Sequence, residues 1–412
     1  MKWSKENDSR LKRSSEKYKF YFGDYDYHDC AKGKLANEVP KSHLGWGKRA
    51  VEMRANKTHF DCFENDVLGL NEILRKYKVI EAFDKVKEDI LVAGCGFLAL
   101  AYDKVMPFTA EEATGTYSWR EQNLKDGYAV FARQSKDTPT PARPDAYIEY
   151  EPGETITHED KKDKTDTNPT GRPLIGLLTY NSTTKRPFGR SVLSRPVRDS
   201  IIDASRTTRQ AMIAAYYYNT KVDVILGADV DTPIDKVETR TGDILKIGMN
   251  EDGQIPKVGE FAQHAMAPFK ETILISANNF CADTKLSLVN LGITTDAPQS
   301  TEALEIVNDD LKDDILTWQL ELGEQLKYFA VTLYMYKNGI KKIDDNLQAK
   351  INATTPIWKP VFAADVSKFG DGLTKIAQNV PEIIKARSIW RNLGLSSEEI
   401  DIMVNSIGDS TL

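Results

Sequence analysis

Between Leu68 and Asp89 apolar residues recur at intervals of three and four, at Leu70, Ile73, Leu74, Tyr77, Ile80, Phe83 and Val86, a spacing that predicts an amphipathic helix. The Gly94-Cys95-Gly96 turn then leads into Phe97–Tyr102, an apolar run that predicts a buried strand. From residue 128 to 180 the period changes. Tyr128–Arg133, Ala146–Tyr150 and Leu174–Tyr180 are short β-rich runs separated by Pro, Gly and charge, as in an antiparallel sheet. Between the last two, Glu151–Pro173 carries Ile156 as its one large aliphatic residue and predicts an exposed loop or a partly disordered segment.

A turn at Arg186-Pro187-Phe188-Gly189-Arg190-Ser191 opens a long helix that runs to about Asn219. Alternation at Val222–Leu226 and Ile244–Ile247, with the hairpin signal Asn250-Glu251-Asp252-Gly253, predicts a small β region up to Gly259. A second helix is predicted from Pro268, tolerated in a first turn, to Cys281, with Phe269, Ile273, Ala277 and Phe280 on one face. Lys285–Gln299 is rich in Asn, Thr and Pro and does not fit a helix throughout. Ser300 offers an N-cap with Glu302 in the first turn. Behind it lies the strongest periodicity of the chain: Leu304, Val307, Leu311, Ile315, Trp318, Leu322, Leu326, Phe329, Leu333 and Tyr336. At ~1.5 Å per residue that helix exceeds about 50 Å. A strand over Gln348–Val361 and a small helical tail from Asp371, punctuated by Pro381 and Gly394, complete the pattern. At the other end, residues 1–20 are polar and basic and read as a flexible arm, followed by the aromatic cluster Tyr18, Phe20, Tyr21, Phe22, Tyr25 and Tyr27 around Gly23.

The chain's 412 residues suggest two or three structural regions at ~100–200 residues each. Its balance of 55 Lys and Arg against 61 Asp and Glu excludes a wholesale basic coat for nucleic acid, though not a local basic face. The longest apolar stretch, Ile90 to Tyr102, is shorter than the ~18 residues a bilayer span needs and is broken by two glycines. The first residues lack the apolar core of a secretory signal. Cys30, Cys62, Cys95 and Cys281 lie far apart, which argues against a zinc knuckle or a disulfide framework. The expectation is a soluble, reduced protein made inside a cell.

Catalytic chemistry is hard to place. There is no phosphate-cradling G-x-x-x-x-G-K-[ST] string, and Gly94-x-Gly96 precedes a strand rather than a helix. The histidines (His28, His43, His59, His158, His264) form no i, i+4 ligand pair, and His28 beside Asp26, Asp29 and Cys30 reads as surface polarity. Asp309/Asp310 and Asp313/Asp314 could hold Mg²⁺ for a nuclease or recombinase, yet they fall opposite the apolar stripe of the long helix, where solvated charge is usual. The expectation is a protein without enzymatic activity and without cofactors or a metal. The helix after Gly189 is more distinctive: Arg195, Arg198, Arg206 and Arg209 fall within about an 80° arc. Two readings stand side by side. The guanidiniums could face DNA phosphates, or they could pair with carboxylates of neighbouring subunits or lie in solvent.

Three strings, taken in this order of elements, resemble the portal proteins of tailed bacteriophages, in particular those of phages of Gram-positive hosts. Arg186-Pro187-Phe188-Gly189-Arg190-Ser191 looks like that family's P-x-G-x-S opening of the first stem helix. Ala282-Asp283-Thr284-Lys285-Leu286-Ser287-Leu288-Val289-Asn290-Leu291-Gly292, continuing as Asp296-Ala297-Pro298-Gln299-Ser300-Thr301-Glu302-Ala303-Leu304, looks like its segment ending in Leu-Gly and the turn into its longest helix. Trp358 on a strand, followed by Lys375, Pro381-Glu382 and Leu393-Gly394-Leu395-Ser396, is the third. The resemblance covers roughly residues 18–405. Where relatives often carry a Gly and a Pro, this chain has Cys281-Ala282-Asp283 and Lys285-Leu286-Ser287.

The resemblance implies an α+β portal subunit, elongated, with an α/β wing, a two-helix stem, a small β-containing clip, a long kinked wing helix and a short helical crown. The implied segments are an N-terminal arm and wing at 1–185, a first stem helix at 186–219, a clip at 220–259 and a second stem helix at 260–283. A tunnel loop at 284–299, a long helix with wing strands at 300–370 and a crown at 371–412 follow. Copies would form a homo-oligomeric ring, usually of about twelve, at one capsid vertex. Double-stranded DNA would be packaged through it by the terminase large subunit and later ejected, without sequence specificity. Head-completion or adaptor proteins, major capsid protein and scaffolding protein are the other implied partners; no membrane is. The implied location is the virion, after assembly in the host cytoplasm. Lys285, Asn290, Thr294 and Thr295 would line the tunnel loop, with Lys270 on the second stem helix. In the family the first stem helix is often the outer one, so Arg195, Arg198, Arg206 and Arg209 could face adjacent subunits instead.

Overall fold

A computed structural model describes residues 5–28, 39–132, 146–159, 162–218, 223–226, 236–239, 242–245, 257–260, 266–293, 301–362, 378, 386–395 and 399–404. The architecture is mixed α and β, in two compact units. One comprises Met1–Asp24, Gly45–Arg195 and Thr284–Leu412, the other Tyr25–Leu44 and Pro196–Asp283.

In the first unit the apolar periodicity does its work around one helix. α1 (Lys5–Phe22), α2 (Trp46–Ala55), β1 (Phe60–Glu64), α3 (Leu70–Lys76) and α4 (Val79–Ala93) come first. Val79, Phe83, Val86, Ile90 and Leu91 of α4 are almost fully buried, and β2 (Cys95–Ala101) is buried at every position. A Cβ on Gly96 would lie 2.6 Å from a Val86 methyl, so the missing side chain lets strand and helix touch. β3 (Lys104–Thr109) and β9 (Ile175–Thr179) flank β2 in an antiparallel sheet of order β3-β2-β9. A second antiparallel sheet holds β4 (Ala113–Ser118), β5 (Asn123–Ala132), β6 (Ala146–Glu151), β7 (Glu154–Glu159) and β8 (Lys162–Thr167) in sequence order.

The expected long helix is α7 (Thr301–Asn338), 38 residues in one run, or about 57 Å at ~1.5 Å per residue. Its inward stripe, Leu311, Ile315, Trp318, Leu322, Leu326, Phe329 and Leu333, is almost fully buried. α8 (Asp345–Ala353) and β14 (Thr355–Trp358) follow, and β14 pairs antiparallel with β1 so that Trp358 meets Phe60 and Phe83 edge-on.

Four expectations need correction. Within the expected arm at 1–20, the described residues are helix rather than flexible chain: α1 spans them from Lys5, and Lys17 donates to the Ala93 carbonyl while Tyr18 and Tyr21 donate to Asp89 and Glu88. Glu151–Pro173 is not a loop, because β7 and β8 pair residue for residue from Glu154↔Thr167 to Glu159↔Lys162. Every side chain of β8 is exposed, so backbone pairing rather than apolar burial makes it a strand. The helix expected over Leu68–Asp89 is two, broken where Lys78 turns left-handed at φ 57°. The strand expected from Gln348 begins only at Thr355. Asp344 caps a helix ahead of it by accepting from the Leu347 amide at 2.8 Å, and Leu347 and Ile351 turn inward one helical turn apart.

In the second unit, α5 (Arg195–Tyr218) and α6 (Ala267–Thr284) bracket four short strands. β10 (Asp223–Leu226) pairs with β13 (Lys257–Glu260), and β11 (Lys236–Thr239) with β12 (Gly242–Leu245), both antiparallel. The Asn250–Gly253 hairpin signal lies outside the described residues. Tyr25 and Tyr27 are buried, with the Tyr25 hydroxyl 2.7 Å from Ser205 Oγ on α5.

Candidate functional site

The Pro187-x-Gly189-x-Ser191 string folds as a tight turn in which the glycine and the serine each have a local structural reason. Thr183 and Arg186 exchange backbone hydrogen bonds, placing Lys185 at the tip. Gly189 sits at φ 69°, and a Cβ there would come 2.2 Å from the Gly94 carbonyl and 2.6 Å from that of Tyr180. No L side chain fits that space. Ser191 Oγ donates to the Val92 carbonyl at 2.6 Å and accepts from the Leu193 amide at 2.9 Å, which fixes the chain's direction just before α5 begins. The Phe188 ring packs 6.2 Å from Tyr117 at the end of β4, and Tyr117 packs 5.2 Å from Trp119.

The segment after Thr284 is held at its root by a hub that the sequence does not announce. Arg54 of α2, with only 2% of its side chain exposed, donates Nε to Asp314 Oδ2 at 2.8 Å. Its other nitrogens donate to the Ala50 carbonyl at 2.9 Å and the Thr284 carbonyl at 2.6 Å. The Tyr180 hydroxyl donates to the same Asp314 oxygen at 2.7 Å, and Lys285 Nζ to Oδ1 at 2.9 Å. Burial pushes the Asp314 carboxyl up. The Arg54 charge and the three donors outweigh it and hold the group below the ordinary carboxylate value. Lys285 itself has a left-handed backbone, φ 54°. Farther on, the Asn290 backbone carbonyl accepts from Arg49 at 3.0 Å and its side-chain Nδ2 donates to Asn308 Oδ1 at 3.1 Å. A 3₁₀ turn at Val289–Leu291 then closes on Gly292.

The expected channel residues therefore fall into different surroundings. Lys285 and Asn290 share this tethered segment, Lys270 is exposed on α6, and Thr294 and Thr295 lie outside the described residues. The four arginines of α5 share an arc of the helix but not an environment. Arg195 is exposed and Arg198 half-buried. Arg206 donates to the His28 carbonyl and pairs with Asp203, while buried Arg209 donates to the Val39 carbonyl at 2.9 Å. Two of the four thus hold backbone of their own chain, a role neither sequence reading included.

The proposed Mg²⁺ ligands are also separated. Asp309, Asp310 and Asp313 are exposed, but Asp314 turns inward onto Arg54, so the four carboxylates do not converge and the nuclease alternative loses its site. Among the described residues no group of three or more His, Cys, Asp or Glu could hold a metal ion, and no helix is long and apolar enough to cross a membrane. Arg54 was missed because it lies in a mixed stretch, Glu52-Met53-Arg54-Ala55, with no periodic signal of its own.

No protein-family model and no curated protein matches the chain. Among solved structures it is similar to a chain of the virion of the native gene transfer agent particle, at 12% identity and a TM-score of 0.45, over 89% of this chain and 94% of that one. It is similar to a chain of the neck of the native particle computed with C12 symmetry, at 14% identity and a TM-score of 0.44, over 87% and 89%. The neck of the empty particle computed with C6 symmetry gives 14% and 0.43, over 87% and 90%. At such scores a likeness fixes neither a fold in detail nor a function.

Proposed function

We propose that this chain is a portal subunit: a structural, non-enzymatic protein whose copies form a ring at one capsid vertex, through which double-stranded DNA is packaged and ejected. The observation that carries the reading is the order of its strings along the chain, from Pro187-x-Gly189-x-Ser191 through the Leu291-Gly292 segment to Trp358. Its support in the fold is that order itself. α5 and α6 flank a strand-bearing insert, and the chain then passes through a glycine-ended turn into a 38-residue helix.

On this reading α5 and α6 are the stem, the strands between them the clip, the segment from Thr284 the tunnel loop, and the residues after 370 the crown. The terminase large subunit and head-completion proteins would dock at the clip, and capsid and scaffolding proteins at the wing. Half-exposed Lys285 and exposed Lys270 would be the channel's cations. Arg206 and Arg209 hold backbone carbonyls of their own chain, so on this reading they serve the subunit rather than DNA. Sparse positive charge suits conduction, because many fixed phosphate contacts would stall a moving duplex.

The test is the assembly state of the purified protein. Light scattering should give several hundred kilodaltons, and negative-stain images a ring with a hole wide enough for a duplex. A stable monomer in all conditions, or a ring with no such hole, sinks the reading.

A further inference from the structure

Two surfaces of the larger unit carry charged side chains most of which have no ion-pair partner among the described residues, and they are opposite in sign. The first is the turn at 183–190 with the β4–β5 turn beside it. Arg120, Lys185, Arg186 and Arg190 are all exposed and none has an ion-pair partner among the described residues; Glu121 is an acid on this surface, and the Glu321 carboxylate reaches its edge by accepting from the Ser182 amide at 3.2 Å. Among these cations lies the aromatic trio Phe188, Tyr117 and Trp119, the last 59% exposed. Gly189 and Ser191 pin the turn to Gly94 and Val92, so the surface is presented in one shape.

The second surface is the outward stripe of α7. At about 100° per residue, Asp309, Asp313, Leu316, Leu320 and Glu324 fall within roughly an 80° arc. Asp309 and Asp313 are exposed without a cation partner among the described residues, while Glu324 pairs with Lys327. Leu316 is 40% exposed and Leu320 72%. Asp310 and Lys312 flank the stripe on either side. The inward side of the same helix is already taken. Trp318 donates to the Thr179 carbonyl, and Glu321 and Gln325 bond Thr179, so the leucine stripe faces away from β9.

We infer that the basic aromatic turn of one copy seats on the acidic leucine stripe of α7 in the next copy. Lys185 and Arg186 would meet Asp309 and Asp313, and Trp119 and Phe188 would cover Leu316 and Leu320. The match is in both charge and apolar area. Tyr, Trp and Arg are the residue types that carry binding energy at protein interfaces. Because the two surfaces differ, the contact is head-to-tail, the kind of contact that closes into a ring when the rotation from copy to copy divides a full turn. The inference rests on the ring reading above and adds to it the surfaces that meet.

Charge reversal tests it with the full-length protein. Lys185→Glu with Arg186→Glu, and separately Asp309→Lys with Asp313→Lys, should each raise the concentration needed for assembly at least ~10-fold, leaving the 46.3 kDa chain at concentrations where the wild type is a ring. The four changes together should restore the ring. As a readout that does not depend on restoration, Arg186→Cys and Asp313→Cys proteins are mixed and oxidised. A disulfide-linked dimer should form in the mixture, above the background of either variant alone. An intact ring with either reversal, or no dimer in the mixture, overturns the inference while leaving the ring reading standing. A wild type that never assembles removes both. If the Lys185/Arg186 reversal abolishes duplex binding but not the ring, the turn is a nucleic-acid contact and the inference is wrong.

Discussion

Asp313 and Asp314 are neighbours on α7, yet they belong to regions that treat charge in opposite ways. Asp314 closes a hub in which each polar group has a partner: a guanidinium, an ammonium and a phenol converge on one carboxylate, and the guanidinium also serves two carbonyls. Asp313 stands on a stripe whose charges look outward, as do the cations of the 183–190 turn. The first region spends its charge inside the subunit, to hold the segment after Thr284 against α2 and α7. The second leaves its charge for something outside. A helix can do both because consecutive residues point about 100° apart.

The comparison breaks hardest at Asp314. Asp314→Ala strands the Arg54 guanidinium, which is almost completely buried, and removing one member of a buried pair costs about 3–5 kcal/mol. Urea unfolding should show a loss of that size, against less than ~0.5 kcal/mol for Asp313→Ala on the exposed side. Equal, small effects at both positions would mean the hub is not a structural centre. The Asp314 contribution has a sign in pH. Its carboxyl lies below the ordinary value when folded, so the stabilisation is present above the unfolded value near ~3.9 and disappears as pH falls through the folded one.

Next in size is the turn that presents the outward charges. Gly189→Ala forces a side chain at φ 69° into a gap of 2.2 Å before a carbonyl oxygen, and about 2 kcal/mol or more should be lost. Gly171→Ala, also at positive φ but with open space around it, should cost about 1 kcal/mol, so the difference isolates the clash.

A smaller effect of opposite sign belongs to Asp89, under α1. Burial first, then Glu112, Glu88 and Glu111, push its carboxyl up to about 6, against the Tyr18 hydrogen bond that favours the anion. Its ionisation therefore costs the fold above about pH 6, and the cost is relieved as pH falls toward the unfolded value near ~4. Asp89→Asn should raise stability by about 1–2 kcal/mol at pH 8 and by much less at pH 4.5, read from melting curves at both pH values. Parallel melting shifts at both would count against a charged Asp89 in the fold.

How much of this was legible follows the same division. α7 could be read because its stripe repeats by threes and fours, and its face from Leu311 to Leu333 is almost fully buried. The glycine of the turn could be read as a motif, but its reason, the Gly94 carbonyl behind it, is tertiary. α1 and β8 were read wrongly because neither carries a repeating apolar signal: the buried apolar residues of α1 in its described part, Phe20 and Tyr21, sit together at its end, and β8 is exposed at every position. α1 is docked in part through phenol–carboxylate bonds and β8 through backbone pairing, and composition records neither. Arg54 could not be found, since a buried cation is specified by its partner 260 residues away. On α5 the arginine spacing was real, but spacing alone does not say whether a guanidinium looks out or finds a carbonyl of its own chain.

The smallest effect separates the hub from its one exposed member. Lys285 shares Asp314 with Arg54 and Tyr180, and about half of its side chain is open to water. Removing it leaves the carboxylate with a guanidinium and a phenol, and leaves no buried charge alone. Lys285→Met should therefore cost less than ~1 kcal/mol, as a part-exposed ion pair does. Lys285→Glu should cost more, because it sets a second carboxylate beside Asp314. If the Met variant is as unstable as Asp314→Ala, the lysine is part of the buried centre and is not available to an outside anion. If it is nearly as stable as the wild type, the guanidinium alone carries the hub and the ammonium is available for the DNA contact proposed above, which a drop in DNA packaged per capsid would register.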